Sequence, residues 1–122
     1  MSAAPSKRVL VADRDEIVLT LTRHILTREG YAVDVANDAA MLDDLLRLNS
    51  YGSMLVDVDL VGVEWLRALP PTTTDCVIAI VSADPGPLPV KAVIRKPLEI
   101  DMLAEIVSNC GQSNTGSSNE AA

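Results

Sequence analysis

Five short apolar runs recur along the chain, and each ends abruptly at polar or charged residues. Because most of the runs show little alternation between apolar and polar positions, they are typical of strands buried on both faces of a parallel sheet. The second run alternates most, which places it nearest to the edge of the sheet. The predicted strands are Arg8–Ala12, Tyr31–Ala36, Ser53–Asp57, Cys76–Val81 and Val90–Arg95.

Segments with the apolar spacing of helices separate most of these strands. A helix over Glu16–Glu29 is predicted to bury Ile17, Leu21 and Ile25, and Gly30 ends it. The next helix follows Asn37, its predicted N-cap, and is predicted to bury Met41, Leu45 and Leu48. A shorter helix over Gly62–Leu69 and a last helix over Glu99–Asn109, with Leu103, Ile106 and Cys110 on its buried stripe, complete the set.

Strands that alternate with helices predict an α/β fold, with a parallel sheet covered by helices on both faces. Five strands in such a doubly wound, flavodoxin-like sheet commonly take the order 2-1-3-4-5. One connection differs, because Ala83–Pro89 contains three prolines and a glycine and therefore cannot form a helix. Eight extended residues reach roughly 26 Å, so the chain can still return along the sheet. The helix between the fourth and fifth strands is therefore predicted to be missing and replaced by a proline-rich loop.

A chain of 122 residues has room for one domain. We expect a flexible arm at residues 1–6, the domain at residues 7–110 and a disordered polar tail at residues 111–122. No apolar stretch has the length of a membrane span or a signal-peptide core, so we expect a cytoplasmic protein that does not enter a membrane.

The net charge of −7 and the three aromatic residues argue against nucleic-acid binding, which needs basic patches or stacking platforms. Cys76 and Cys110 lack the spacing of a metal site and are interpreted as small buried hydrophobic residues.

Polar side chains that could take part in binding or catalysis end or follow four of the predicted strands. Asp13 follows the first strand, Asp57 ends the third, Ser82 follows the fourth and Lys96 follows the fifth. Ligands of parallel sheets bind beyond the carboxyl ends of the strands, so these groups are predicted to meet at one edge. Asp13 has an alternative role as a helix cap. Asp57 would cost several kcal/mol to bury unpaired, which favours a solvated or liganded site.

This arrangement resembles the receiver domain of two-component response regulators. The resemblance extends from Lys7 to Cys110 and rests on the order and spacing of five segments rather than on any single one. These segments are Arg8–Asp13, Tyr51–Asp57, Gly62–Leu69, Val81–Ala83 and Lys96–Leu98.

The resemblance implies a phosphorelay protein. Asp57 would accept a phosphoryl group from a histidine kinase or a phosphotransfer protein, and Lys96 would neutralise its charge while Ser82 donates its hydroxyl. Magnesium would be held by Asp57 and an acidic pair that includes Asp13. Such a domain is not an enzyme in the usual sense, since at most it catalyses its own phosphorylation and dephosphorylation.

The second acid of that pair is replaced by Arg14, which removes the main magnesium ligand and changes the local charge by two units. An arginine pairs readily with a carboxylate, so Arg14 is predicted to lie beside Asp57 and to weaken magnesium binding. Asp15 and Asp59 are nearby acids, but neither takes the position of the missing ligand.

The surface that follows the fourth strand also departs from the family, because the proline-rich loop replaces a helix and Val93 stands where the family places an aromatic residue. An alternative function therefore remains open. In it, the protein is a pseudo-receiver that binds a downstream protein independently of phosphorylation.

Overall fold

The computed structural model describes residues 7–70, 74–84, 86–96 and 100–111, and for residues 75, 100, 101 and 110 it describes the backbone alone. The predicted arm and nearly all of the predicted tail lie outside these residues. The five strands form one parallel sheet in the order β2-β1-β3-β4-β5. The predicted fold class and strand order are therefore confirmed.

The elements follow one another as the alternating pattern predicts. The strands are β1 (Arg8–Ala12), β2 (Ala32–Ala36), β3 (Tyr51–Asp57), β4 (Thr74–Val81) and β5 (Ala92–Arg95), and the helices are α1 (Glu16–Arg28), α2 (Ala39–Leu48), α3 (Val58–Val61), α4 (Val63–Ala68) and α5 (Ile100–Gly111). A helical turn, α3, follows β3 directly, because the side chain of Asp57 accepts a hydrogen bond from the amide of Asp59 and caps that turn.

The register of the central strands aligns their carboxyl ends. Ala12 of β1 pairs with Val56 of β3, so Asp13 and Asp57 are the next residues on two neighbouring strands. Val81 of β4 pairs with Arg95 of β5, and the amide of Lys96 continues this ladder to the carbonyl of Val81 at 2.8 Å. The polar residues that end these strands therefore share one edge of the sheet.

The core lies on both faces of the sheet. One cluster packs α1 and α5 against residues such as Val11, Leu55 and Ile78, and another packs α2 against Leu10 and Met54. All seven residues of β3 are buried, as expected for the central strand of such a sheet. Strand β2 is at the edge, as its alternation predicts.

Cys76 is buried in the first of these clusters, and it is disulfide-bonded. Its interpretation as a plain hydrophobic residue is therefore wrong, while the side chain of Cys110 lies outside the described residues.

The predicted buried face of α1 is wrong in part, because Ile25 packs against the core and the other two predicted residues do not. Ile17 and Leu21 are 71% and 44% exposed, whereas Leu19 and Leu26 are buried. This helix carries apolar residues on more than one stripe, so spacing alone does not select the stripe that meets the sheet. Asp15 sets the rotation, because its side chain caps the first turn immediately after β1 ends.

The predicted face of α2 is also wrong in part. Met41 and Leu48 are 43% and 77% exposed, and Leu42 is the buried residue. Asp38 rather than Asn37 is the N-cap, since its carboxylate accepts the amide of Met41 at 2.7 Å. The stripe of α2 that meets the sheet is therefore the one that contains Leu42, with Leu45 and Leu46 partly buried beside it.

The connection between β4 and β5 contains no helix in its described part, residues 82–84 and 86–91, in agreement with the prediction. Leu88 and Val90 from this connection pack against a third cluster that includes Ala79 and Val81. They cover β4, but Val93 on β5 remains 46% exposed. The loop therefore replaces the missing helix over one strand only.

The incomplete cover predicts that the same substitution has different costs on two adjacent strands. Val93→Thr should change the free energy of unfolding by less than about 0.5 kcal/mol, because the hydroxyl is solvated. Val81→Thr should cost about 1–3 kcal/mol, because Val81 is 2% exposed and its new hydroxyl would be buried. Urea unfolding of both variants measures the difference. Equal costs would show that the face of β5 is covered.

Candidate functional site

Asp57 is the centre of the candidate site and ends the fully buried strand β3. Its side chain is 2% exposed. One carboxylate oxygen, Oδ1, accepts the amide of Asp59 at 3.0 Å, and the other, Oδ2, accepts the Nζ of Lys96 at 3.1 Å. The first contact is a local turn of the kind that Asp favours at strand ends. Both oxygens of this buried carboxylate are therefore compensated within the protein.

Asp13 ends β1 in the same way. Its Oδ1 accepts the amide of Asp15 at 2.9 Å, and its own amide donates to the carbonyl of Ala36 at 3.1 Å. The residue is only 1% exposed, and its Oδ2 is a buried acceptor without a donor among the described residues. The alternative role of Asp13 as the cap of α1 is wrong, because Asp15 takes that position.

Lys96 reaches Asp57 from β5, which is separated from β3 by one strand. The side chain of Lys96 is 31% exposed, so its ammonium group lies between the buried carboxylate and solvent. Hydrogen bonding to Asp57 and the charges of Asp13, Asp57 and Asp59 raise the pKa of Lys96 in spite of desolvation, the largest single influence, which lowers it. The group therefore stays positively charged at physiological pH.

Ser82 follows β4 and is exposed. Its hydroxyl donates to Oδ2 of Asp59 at 3.0 Å. Asp59 was not among the residues expected in the site, and the structure places it there. The signal in the sequence is its position two residues after Asp57, because the helical turn that Asp57 caps directs that residue back over the sheet edge.

Arg14 does not take the predicted position beside Asp57. It is exposed, and it forms no ion pair with Asp57, whose cationic partner is Lys96. The reason is geometric, since Asp13 turns inward and the residue after it in an extended turn faces the opposite side. The residues brought together at the sheet edge are Asp13, Asp57, Asp59, Ser82 and Lys96.

The charges at this edge are unbalanced, because three carboxylates face one ammonium group. Burial raises the pKa of Asp13 above its ordinary value of 3.8, and the charge of Asp57 raises it further, while the amide of Asp15 and the charge of Lys96 oppose the shift. The two carboxyl groups are neighbours at this edge, since Asp57 acts on the pKa of Asp13 through its charge and its side chain. The site as a whole attracts a cation.

The carboxylates of Asp13 and Asp57 fit a weak magnesium site with few protein ligands. Magnesium is commonly held by one or two carboxylates and by water, and the orphaned Oδ2 of Asp13 beside Asp57 is an oxygen donor of the required kind. No group of three or more His, Cys, Asp or Glu side chains in the described part of the chain is placed to hold a metal ion. Of the described side chains, Asp13 and Asp57 are the two that would hold the ion, with water completing its coordination.

This chain resembles known proteins in its structure, whereas the sequence comparisons found no match. No protein-family model and no curated protein matches the sequence. The Francisella response regulator 1452 receiver domain matches with a TM-score of 0.75 and 22% identity, over 88% of this chain and 98% of that chain. A response regulator receiver protein from Burkholderia phymatum matches with a TM-score of 0.72 and 23% identity, over 86% and 94% of the two chains.

The chain has the receiver-domain fold. A response regulator from Thermotoga maritima matches in the same way, with a TM-score of 0.71 and 21% identity over 88% of this chain and 98% of that chain. The receiver fold predicted from the five sequence segments is thereby confirmed.

No helix in the described part of this receiver fold is long and apolar enough to cross a membrane.

The raised pKa of Asp13 predicts how stability depends on pH. A folded-state pKa above the unfolded value means that the folded protein binds more protons between the two values, so stability falls as the pH rises through this window. Asp13→Asn removes the ionisation at nearly the same side-chain shape, and it should raise the free energy of unfolding at neutral pH. The gain should shrink as the pH falls toward 3.8.

Urea unfolding across this pH range measures the effect, at about 1.4 kcal/mol for each unit of pKa shift. Glu105→Gln is the matched control, since Glu105 is exposed on α5. A loss of stability in Asp13→Asn at neutral pH would contradict the interpretation that the folded protein destabilises the ionised form of Asp13.

A second prediction concerns the charge at position 14. Arg14→Asp should tighten magnesium binding by roughly threefold, because it replaces a positive charge next to Asp13 with a negative one, although position 14 faces away from Asp57. Titration calorimetry with magnesium chloride measures the affinity. Arg14→Ala separates loss of the positive charge from gain of the negative charge, and Arg23→Asp applies the same charge change farther along α1. An equal gain in Arg23→Asp would show that only net charge matters.

Proposed function

We propose that this protein is a phosphoacceptor receiver domain and that Asp57 accepts a phosphoryl group from a histidine kinase or a phosphotransfer protein. The observation that supports it most directly is the contact of Lys96 Nζ with Asp57 Oδ2 at 3.1 Å. It links a buried carboxylate to a cation that is partly open to solvent. An ion pair that only stabilises the fold does not need a cation exposed to solvent.

The chemistry follows from the charges around Asp57. A carboxylate oxygen of Asp57 attacks the phosphorus of a phosphorylated histidine, the phosphorus–nitrogen bond breaks, and its electron pair remains on the imidazole. The product is an acyl phosphate on Asp57. In this transfer negative charge is spread over the phosphoryl oxygens, so the protein contributes mainly position and charge neutralisation.

Two groups of this chain would carry out that neutralisation. Lys96 already contacts Asp57, and its raised pKa keeps it charged when the phosphoryl group arrives. Ser82 supplies a hydroxyl from the neighbouring strand once its bond to Asp59 is released. Magnesium, when bound by Asp13 and Asp57, would add further positive charge.

Small phosphodonors provide a direct test. Incubation with acetyl phosphate or phosphoramidate in magnesium buffer should add the mass of one phosphoryl group, as measured by intact-protein mass spectrometry. Asp57→Asn should abolish the adduct. Lys96→Gln should slow its formation by at least about tenfold, since one charge-neutralising group is lost.

The exposed Lys91 offers a matched control, and Lys91→Gln should leave the rate unchanged. The absence of an adduct with both phosphodonors and with a cognate kinase would overturn the proposed function.

A second candidate function is a pseudo-receiver, a binding module that works without phosphorylation. Two observations favour it: the missing helix after β4, and the Ser82 hydroxyl that already has an acidic acceptor. Under this function a strain that carries Asp57→Asn behaves like wild type and unlike a deletion strain. A phenotype equal to that of the deletion would favour phosphorylation.

A further inference from the structure

The hydroxyl of Ser82 is already engaged. It donates to Oδ2 of Asp59 at 3.0 Å, and both residues lie at the exposed rim of the site. A hydroxyl has one proton to donate. While that proton is hydrogen-bonded to Asp59, Ser82 has no proton to donate to another anion.

The position of Asp59 follows from the local fold. Asp57 accepts the Asp59 amide at 3.0 Å, which fixes the first turn of α3 directly above the buried carboxylate. The Asp59 side chain therefore projects from the same turn toward Ser82, just after β4, and its charge is the smallest of the influences that raise the pKa of Lys96. Asp59 thus acts on the two groups of the site that have affinity for an anion.

We propose that Asp59 is an internal competitor of the phosphoryl group, holding the Ser82 hydroxyl in the resting protein and repelling the incoming anion. This proposal rests on the proposed function, because it concerns phosphorylation of Asp57. A phosphoryl group on Asp57 must draw the hydroxyl away from Asp59 and accept a second negative charge close by. Asp59 is a positioning residue, since it acts through Ser82 and through charge.

Two substitutions separate these effects. Asp59→Asn removes the charge but keeps an amide oxygen that can accept from Ser82. Asp59→Ala removes both the charge and the acceptor. Initial rates of phosphorylation by acetyl phosphate, measured by intact mass, should rise roughly threefold in Asp59→Asn and more in Asp59→Ala.

Asp84→Asn is the matched control, since Asp84 is an exposed acid two residues after Ser82 whose carboxylate accepts the amide of Gly86. Its rate should equal that of wild type. A rise in Asp84→Asn as large as in Asp59→Asn would overturn the proposal, because general charge would then explain the effect.

The role of Ser82 is tested in a double variant. In a Ser82→Ala background there is no hydroxyl to release, so Asp59→Ala should raise the rate no more than Asp59→Asn does in wild type. An undiminished gain would overturn the part assigned to Ser82. Rates equal to wild type in both Asp59 variants would overturn the whole proposal.

Failure of the proposed function has a different signature. If wild type and all variants lack the adduct, Asp57 is not a phosphoacceptor, and the competition is overturned with it. If wild type is phosphorylated and the Asp59 variants match its rate, the function stands and the competition fails.

Discussion

A carboxylate at the end of an apolar strand must find donors or positive charge nearby, and the ion pair between Asp57 and Lys96 meets this requirement. Breaking such a pair by removing one partner usually costs about 3–5 kcal/mol when both are buried, and the partial exposure of Lys96 lowers that figure. The pair joins β3 to β5 across an intervening strand. The geometry of the site therefore depends on the register of β3, β4 and β5 relative to one another.

The same edge contains a carboxylate that is not compensated. The second oxygen of Asp13 is buried and has no donor among the described residues. A fold selected only for stability has no use for this arrangement, since burying an unpaired acceptor costs about 1–3 kcal/mol. Such groups are typical of sites that bind a charged partner.

The sheet was predictable from the sequence because buried parallel strands have a plain signature. Continuous apolar runs such as Arg8–Ala12, each ending at a polar residue, place strands and their carboxyl ends with little ambiguity. The same positions bring Asp13, Asp57 and Lys96 to one edge in any sheet of this order. Their proximity in the structure follows from topology.

Helix faces and side-chain partners were less predictable, because each depends on a rotation that the pattern leaves open. Ile17 and Leu21 share a stripe with good helical spacing, yet the cap at Asp15 turns other residues inward. Arg14 lies next to Asp13 in sequence but outside the site, and Asp59 enters it through a turn that Asp57 itself creates. These outcomes depend on local backbone geometry that spacing does not encode.

The missing helix has a consequence for dynamics. Strand β5 is four residues long and, among the described strands, pairs with β4 alone, and its outer face has little cover at Val93. Short, thinly covered edges open locally at a fraction of the global unfolding free energy. An opening of this kind would withdraw the Lys96 ammonium from Asp57, which links the charged pair to fraying of the sheet edge.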